Sequence, residues 1–487
     1  MHRFTYLRNL PHRHPVVVPS REDESEKHER GSRPREFAPL KRRRLSLSLS
    51  LSFSLFLSPL PALSKDAGRL LLLFQTHISV SYGNESVIIS FHNETIGDDF
   101  VDADELVQSL EEIQKRKEME LPSRLRPYFD KIEMKNRAVL LFGPRGVGKT
   151  TFLLSRFKER KVLYISADNP LVSTSDIWSI AKTAFVRGYE GIVVDEAHYA
   201  KDWSIHLKAL YDSYPGKLVI ASDSSSLILR QGIADLSRRF SRVQIPLMSL
   251  REYIFLRDGT LLPQLEPFSP ETSAVKEIMN GTNVLSAFEE YLERGFRPSY
   301  LEWDFREQIE HIIEKTLHGD VPFFVPQISD IHFRLMNAVV GFLAISKVPT
   351  LNIERMCRDW GIGKRKLYEL LTVMNATGVI RIVYRENDNR TFSKGEKIFF
   401  GDPAFYSIGA GNIGTRREAF VAQSFEDAGR RVFASADERN GDFSVDGRIV
   451  EVGGRSKKPK KAEFVIRDDR DLPYSNSIPM WTLGFQY

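Results

Sequence analysis

The chain has 487 residues, 42% of them hydrophobic, a single cysteine and a formal net charge of +5. That length exceeds what one hydrophobic core sustains, so several domains are expected; the lone Cys357 excludes a disulfide framework and a cysteine-built zinc site, and fits a reducing cytoplasm. Charge excludes less: residues 1–69 hold 14 lysines and arginines against 7 acids, which leaves −2 for the remainder, so net charge is no evidence that the folded part binds nucleic acid.

The first 98 residues read as a disordered or low-complexity extension, with disorder expected through residue 68. Lys41-Arg42-Arg43-Arg44, the alternating Leu-Ser tract Leu45 to Ser54 and the small residues Ala62-Leu63-Ser64 imitate a signal peptide. The tract starts far from Met1, carries a serine at every second place and is followed by Pro59 and Pro61. A span of about 20 apolar residues is not supplied, so no membrane segment is expected.

Residues 99–255 carry the chemistry. The apolar run Ala138 to Phe142 leads into Gly143-Pro144-Arg145-Gly146-Val147-Gly148-Lys149-Thr150-Thr151, which fits the phosphate-loop pattern at every fixed position and is followed by a helical pattern, Thr151 to Lys158. Glycines let successive amides turn inward onto phosphate oxygens, Lys149 reaches the β- and γ-phosphates, and the Thr150 hydroxyl is the magnesium ligand. A second apolar run, Gly191 to Val194, ends in Asp195 and Glu196. There Asp195 is placed to hold magnesium and Glu196 to polarise an attacking water as general base. Runs at Lys161 to Ser166, Lys217 to Ser222 and Arg242 to Pro246 complete about five strands, alternating with helical segments such as Ile205 to Tyr211. Such alternation predicts a parallel sheet covered on both faces. Ser222 is a candidate polar sensor or an ordinary strand-end serine. Arg238 and Arg239 are candidate arginine fingers, in cis or across a subunit boundary, or a solvated helix face.

The residues GPRGVGKTT, VVDEAHYAKDW, VIASDSSSL and DLSRRF followed by PLMSLREY resemble the AAA-type ATPase domain of prokaryotic proteins that carry a C-terminal domain of unknown function, the DUF4143 type, related to restriction-endonuclease folds. The resemblance covers about Asp102 to Tyr487. It implies a magnesium-dependent ATPase of the additional-strand-catalytic-glutamate class, ATP and Mg2+ as its ligands, and Asp195 and Glu196 as its acids. Asp223 departs from the small residue expected after Ser222.

Three further regions follow. Residues 256–332 read as a helical lid and linker. Residues 333–408 show a helix, a helix-turn-helix across Gly361-Ile362-Gly363 and two strands around a polar tip, the outline of a winged helix. Lys364, Arg365 and Lys366 open its third helix, where DNA phosphates or a protein partner could be met. In residues 409–487, Glu418, Asp442 and Glu451 follow the order of a restriction-endonuclease site, but Gly453 stands where its lysine is needed. Lys457 and Lys458 lie further along a basic run, Arg455 to Lys461. A degenerate, non-catalytic nuclease-like fold is expected there.

The chain as a whole is therefore expected to be an α/β P-loop ATPase acting on its C-terminal domains, or a slow nucleotide-gated switch that signals through them, with homo-oligomers or a protein as further partners.

Overall fold

The computed structural model describes residues 49–55, 74–82, 85–92 and 102–487, apart from 226–235, 302–304, 326, 346–351, 387–395, 410, 411, 436, 438 and 455–460. The chain divides into two units, Met1–Asp98 and Asp99–Tyr487. In the first unit β1 (Leu49–Leu55), β2 (Phe74–Tyr82) and β3 (Glu85–His92) form an antiparallel sheet in that order. Of the stretch expected to be disordered, residues 49–55 are a strand; residues 1–48 and 56–68 lie outside the described residues. A two-residue alternation of leucine and serine is the strand period, and the tract pairs with β2 from Leu49↔Val80 to Leu55↔Phe74.

In the second unit, β4 (Ala138–Phe142), β5 (Val162–Ser166), β6 (Gly191–Asp195), β7 (Leu218–Asp223) and β8 (Ser241–Gln244) build a five-stranded sheet in the order β5-β6-β7-β4-β8. Every pairing is parallel. The strand β7 therefore lies between the strand that leads into the phosphate loop and the strand that ends in Asp195. Side chains alternate across the sheet: Ala138 and Leu140 enter one apolar cluster, Val139 and Leu141 the other. The first cluster is roofed by α1 (Ala103–Met119), α3 (Ile177–Val186) and α4 (Trp203–Ser213). The second receives α2 (Lys149–Phe157) and the rest of the chain. Burial on both faces is why these strands read as continuous apolar runs.

Beyond the sheet come α5 (Leu250–Asp258), α6 (Thr272–Gly281), α7 (Val284–Arg294) and α8 (Phe305–Lys315), then a single π-helical turn at Thr316–Asp320 and α9 (Val321–Phe324). Next are α10 (Asp330–Ile345), α11 (Ile353–Trp360) and α12 (Lys364–Ala376), followed by an antiparallel pair, β9 (Ile380–Val383) and β10 (Lys397–Phe400). The chain closes with α13 (Ile413–Asp427) and the sheet β11 (Val432–Ala434), β12 (Phe443–Val445), β13 (Arg448–Gly453), β14 (Phe464–Arg467) and β15 (Ser477–Pro479), in sequential order. Pairing there is antiparallel as far as β13 and parallel after it.

The boundaries expected at 255 and 332 fall inside α5 and α10. One apolar cluster runs from Phe129 through Tyr253, Leu371 and Phe420 to Phe485, so the modules share a core. The join is polar as well: the Tyr487 hydroxyl donates to the Leu247 carbonyl at 2.9 Å, immediately before α5.

Candidate nucleotide site

From Phe142 the backbone turns through residues 143–148 into α2, and the glycines explain why it can. Gly148 stands at φ 93° and Gly146 at φ 75°, in the left-handed region that side chains resist. A Cβ on Gly143 would lie 2.2 Å from the Ile245 carbonyl oxygen. Buried Val147 offers its carbonyl to Arg126 Nη1 at 2.8 Å. Arg126 also donates to the carbonyls of Pro246 and Leu247 and forms a bidentate pair with Glu252 at 3.0 and 2.8 Å. Glu252 in turn completes the capping box that starts α5 at Ser249. This buried pair fixes the phosphate loop against α5. Arg126 and Glu252 carry no local motif, and sequence reading missed both.

Lys149 is buried, and its Nζ donates to the carbonyls of Gly143 at 2.8 Å and Pro144 at 3.2 Å. Burial lowers its pKa, opposed by the nearby Glu196 and Asp195 carboxylates. The Thr150 hydroxyl donates to Asp195 Oδ2 at 2.6 Å, and the Tyr164 hydroxyl donates to the same oxygen at 2.7 Å. Ser222 donates to Asp195 Oδ1. Three neutral hydroxyls thus hold this carboxylate, and burial followed by the Asp195 charge pushes the Tyr164 phenol up. The meeting follows from register, since Val194 pairs with Ala221 and Ser166 with Asp195.

Glu196 adopts the left-handed conformation at φ 50°, ψ 48°. For a residue with a Cβ that costs about 1–3 kcal/mol and marks functional positions. Its Oε1 lies 3.4 Å from Arg145, while its buried Oε2 has no hydrogen-bond partner among the described residues. Burial raises the Glu196 pKa, against the lowering pull of Lys149 and Arg145. Two residues on, His198 Nδ1 sits 2.6 Å from Asp223 Oδ2. The departure at Asp223 is explained by this pair, which holds His198 behind Glu196. Burial pulls the His198 pKa down, but the Asp223 hydrogen bond and the Asp223, Glu196 and Asp320 charges together outweigh it and the net shift is upward. Glu196, His198 and Asp223 bring ligand-type atoms within 4.8 Å of one another.

Arg145 leaves the loop toward the helical region. Its Nε donates to Asp320 Oδ2 at 2.7 Å, and Nη2 pairs with the other oxygen of that carboxylate. Asp320 ends the π-helical turn and also accepts from Ser224 Oγ at 2.9 Å. Above the loop, Arg297 Nε donates to the Arg145 carbonyl at 2.8 Å and its guanidinium pairs with Asp402. Pro144 packs toward Gly378, whose added Cβ would meet Pro144 Cγ at 3.3 Å. Beside the loop opens a cleft of about 490 Å³, lined among others by Leu121, Arg124, Phe129, Thr150, Thr151 and Leu256.

The structure brings together Gly143 through Thr151, Asp195, Glu196 and Ser222. It does not bring Arg238 or Arg239 to them. Arg239 pairs with Asp212 near the end of α4 at 2.8 Å, and Arg238 is exposed. Both precede β8, whose Ser241 pairs with Val139 near the start of β4, whereas the phosphate loop follows the end of β4. The two arginines therefore lie at the opposite end of a parallel sheet, which corrects the cis-finger expectation.

In the C-terminal sheet, Asp442 and Glu451 stand opposite one another, one step beyond the Phe443↔Val450 pair. The lysine missing at Gly453 has a counterpart in β10: buried Lys397 Nζ lies 2.6 Å from Glu418 Oε2 and 3.7 Å from Asp442 Oδ1. Lys457 and Lys458 lie outside the described residues. At the head of α12, Lys364 pairs with Glu354 at 3.0 Å and Lys366 with Glu369 at 3.0 Å, while Arg365 is exposed. None of the described helices is long and apolar enough to cross a membrane.

Strand order, phosphate loop and acidic pair together define a P-loop nucleoside-triphosphate-binding domain. More narrowly, residues 135–254 match the family model of the AAA domain. No curated protein matches the chain in sequence. Among solved structures it is similar to the ORC1 protein of Aeropyrum pernix in complex with DNA, at 13% identity and TM-score 0.27 over 63% of this chain and 94% of that one. It is also similar to a Walker-type ATPase of Pyrococcus abyssi, at 14% identity and TM-score 0.34 over 63% and 96%.

Proposed function

We propose that the chain is a magnesium-dependent ATPase whose nucleotide state is passed to its C-terminal modules. The observation that carries this reading is Asp195 held by the Thr150, Tyr164 and Ser222 hydroxyls directly beside the phosphate loop, with Glu196 Oε2, which has no hydrogen-bond partner among the described residues, next to it. An all-oxygen set of hydroxyl and carboxylate donors suits magnesium, and Thr150 and Asp195 are the residues that would hold it. Such an ion would supply positive charge to the polyphosphate.

The loop amides and Lys149 grip the polyphosphate, and the apolar side of the Phe129 cleft takes the base. Glu196 accepts a proton from water as the water oxygen attacks the γ-phosphorus. The bond from that phosphorus to the bridging oxygen breaks, giving ADP and inorganic phosphate. Ser222, by fixing Asp195, acts as a positioning residue. No guanine-selective Asn-Lys-x-Asp run follows, which favours adenine.

Two contacts support coupling to the C-terminal half: Arg297 ties the Arg145 carbonyl to Asp402, and Pro144 leans on Gly378. Residues 333–408 are read as a winged helix used for docking, since Lys364 and Lys366 already have acidic partners; Arg365 is left for a nucleic-acid contact. The nuclease-like region is read as non-catalytic because Gly453 stands where the strand's lysine is needed, while Lys397 is engaged by Glu418 and Asp442. A cytoplasmic location fits the single cysteine.

The test is steady-state phosphate release with ATP and GTP. Glu196→Gln should lower kcat by about 10²–10⁴-fold with ATP still bound; undiminished release removes Glu196 as the base.

A further inference from the structure

We propose that Arg145, on the phosphate loop itself, is the cation that neutralises charge developing on the γ-phosphate, and that Asp320 of the helical region holds it in reserve until nucleotide arrives. The proposal rests on the ATPase reading above and names a catalytic residue that the phosphate-loop pattern leaves free.

Position comes first. Arg145 already stands 3.4 Å from Glu196 Oε1 and 3.5 Å from the Tyr199 hydroxyl, on the side of the loop where water would be activated. Its backbone is anchored by Arg297, so delivery to a phosphate needs only rotation of the side chain. A guanidinium fork matches phosphate as well as carboxylate. The expected finger arginines, Arg238 and Arg239, are at the other end of the sheet, and Arg145 supplies from within the loop what they cannot.

The carboxylate left behind must then be answered, and the structure holds the group to do it. Asp320 is fully buried, so losing its guanidinium would leave a bare charge in a low-dielectric site. His198 Nε2 lies 3.8 Å from Asp320 Oδ1, is buried and has no hydrogen-bond partner among the described residues. With Nδ1–H donating to Asp223, a small shift lets Nε2 of the imidazolium form donate to Asp320 while Ser224 continues to do so. The exchange also releases Glu196 Oε1 from Arg145, freeing it to accept from water. The orphaned His198 Nε2 thereby acquires a purpose. Because Asp320 sits in a π-helical turn between α8 and α9, the exchange reports the presence of the γ-phosphate to the helical region.

The experiment uses the full chain, with steady-state phosphate release and calorimetric binding of ATP and ADP. Arg145→Ala should lower kcat by about 10³-fold or more, the range of a lost arginine finger, while ATP still binds. Asp320→Asn should lower the KM for ATP by about 5-fold or more. That gain should vanish when Arg145→Ala is already present. The double variant removes both charges at once, so a kcat as low as that of Arg145→Ala alone assigns the loss to the missing cation and not to an orphaned acid. The proposal is overturned if Arg145→Ala keeps kcat within about threefold of wild type, below any finger effect. It is overturned equally if Asp320→Asn lowers kcat as much as Arg145→Ala does, or if the double variant recovers wild-type kcat. Absence of hydrolysis by the wild-type chain is a different result: it removes the ATPase reading on which the proposal stands.

Discussion

At the end of β6, Asp195 is held by three hydroxyls; in the C-terminal sheet, Glu418 and Asp442 are held by the ammonium of Lys397. Both regions place a buried aspartate, Asp195 or Asp442, at the end of a strand. Hydroxyls satisfy oxygen lone pairs without cancelling charge, so Asp195 keeps its attraction for a cation. A lysine offsets part of it. Which kind of donor answers a carboxylate therefore separates a site poised for a metal and polyphosphate from one whose polar needs are met within the fold.

The comparison breaks most plainly at Lys149. Its Nζ rests on the carbonyls of its own loop and is the cation free to move onto phosphate. Lys149→Ala should abolish measurable ATP binding in calorimetry, a loss of about 100-fold or more in affinity, in line with a charged contact worth several kcal/mol. Retained binding would mean that the cleft, and not the loop, holds the nucleotide. Next in size is Lys397. Removing one partner from a buried charge set costs about 3–5 kcal/mol, so Lys397→Met should lower the melting temperature of the nucleotide-free chain. Adding Glu418→Gln should recover part of that loss, while ATP binding by the folded protein persists. If Lys397→Met instead leaves the midpoint where it was, the lysine is not the internal counter-ion described here.

How far these two regions could be read from residues alone follows from sequence distance. The phosphate loop and its flanking strand and helix form one continuous stretch with fixed glycine, lysine and hydroxyl positions, and Asp195 and Glu196 close a buried apolar run. Tyr164 belongs to a strand that was recognised, but its hydroxyl is aimed by register across β6, which periodicity does not encode. Arg145 and Asp320 are 175 residues apart, and Arg126 and Glu252 are 126 apart. Lys397 meets Glu418 across the gap between β10 and α13. Such pairs depend on how helices fold back onto the sheet. Arg238 and Arg239 are a different case. They stand just before a strand parallel to the one that feeds the loop, and that order alone places them at the far end.

A smaller effect sharpens the contrast through pH. As general base, Glu196 works only when ionised, and burial raises its pKa above the ordinary 4.5. Proton uptake therefore removes the base sooner on acidification than for a solvated glutamate. The acid limb of kcat/KM, which reports the free enzyme, should have its midpoint above 4.5 and should be missing from the residual activity of Glu196→Gln. A limb at or below that value would place the carboxylate in solvent. Asp442 and Glu451 should leave the same profile untouched, because they belong to the other region.

The smallest effect is expected at Arg239. Its contact with Asp212 is a partly exposed ion pair at the end of the sheet away from the loop, screened by water and salt. Arg239→Ala should therefore leave kcat and KM as they are and move the melting temperature little. The variant still decides something that a single chain does not. An arginine far from its own nucleotide can meet the γ-phosphate of a neighbouring subunit, and a finger used in that way is worth about 10³–10⁵ in kcat. A loss of that size in Arg239→Ala, appearing only at protein concentrations where the chain self-associates, would move the finger from Arg145 to a partner. A flat response across the same concentrations leaves the cation within the loop.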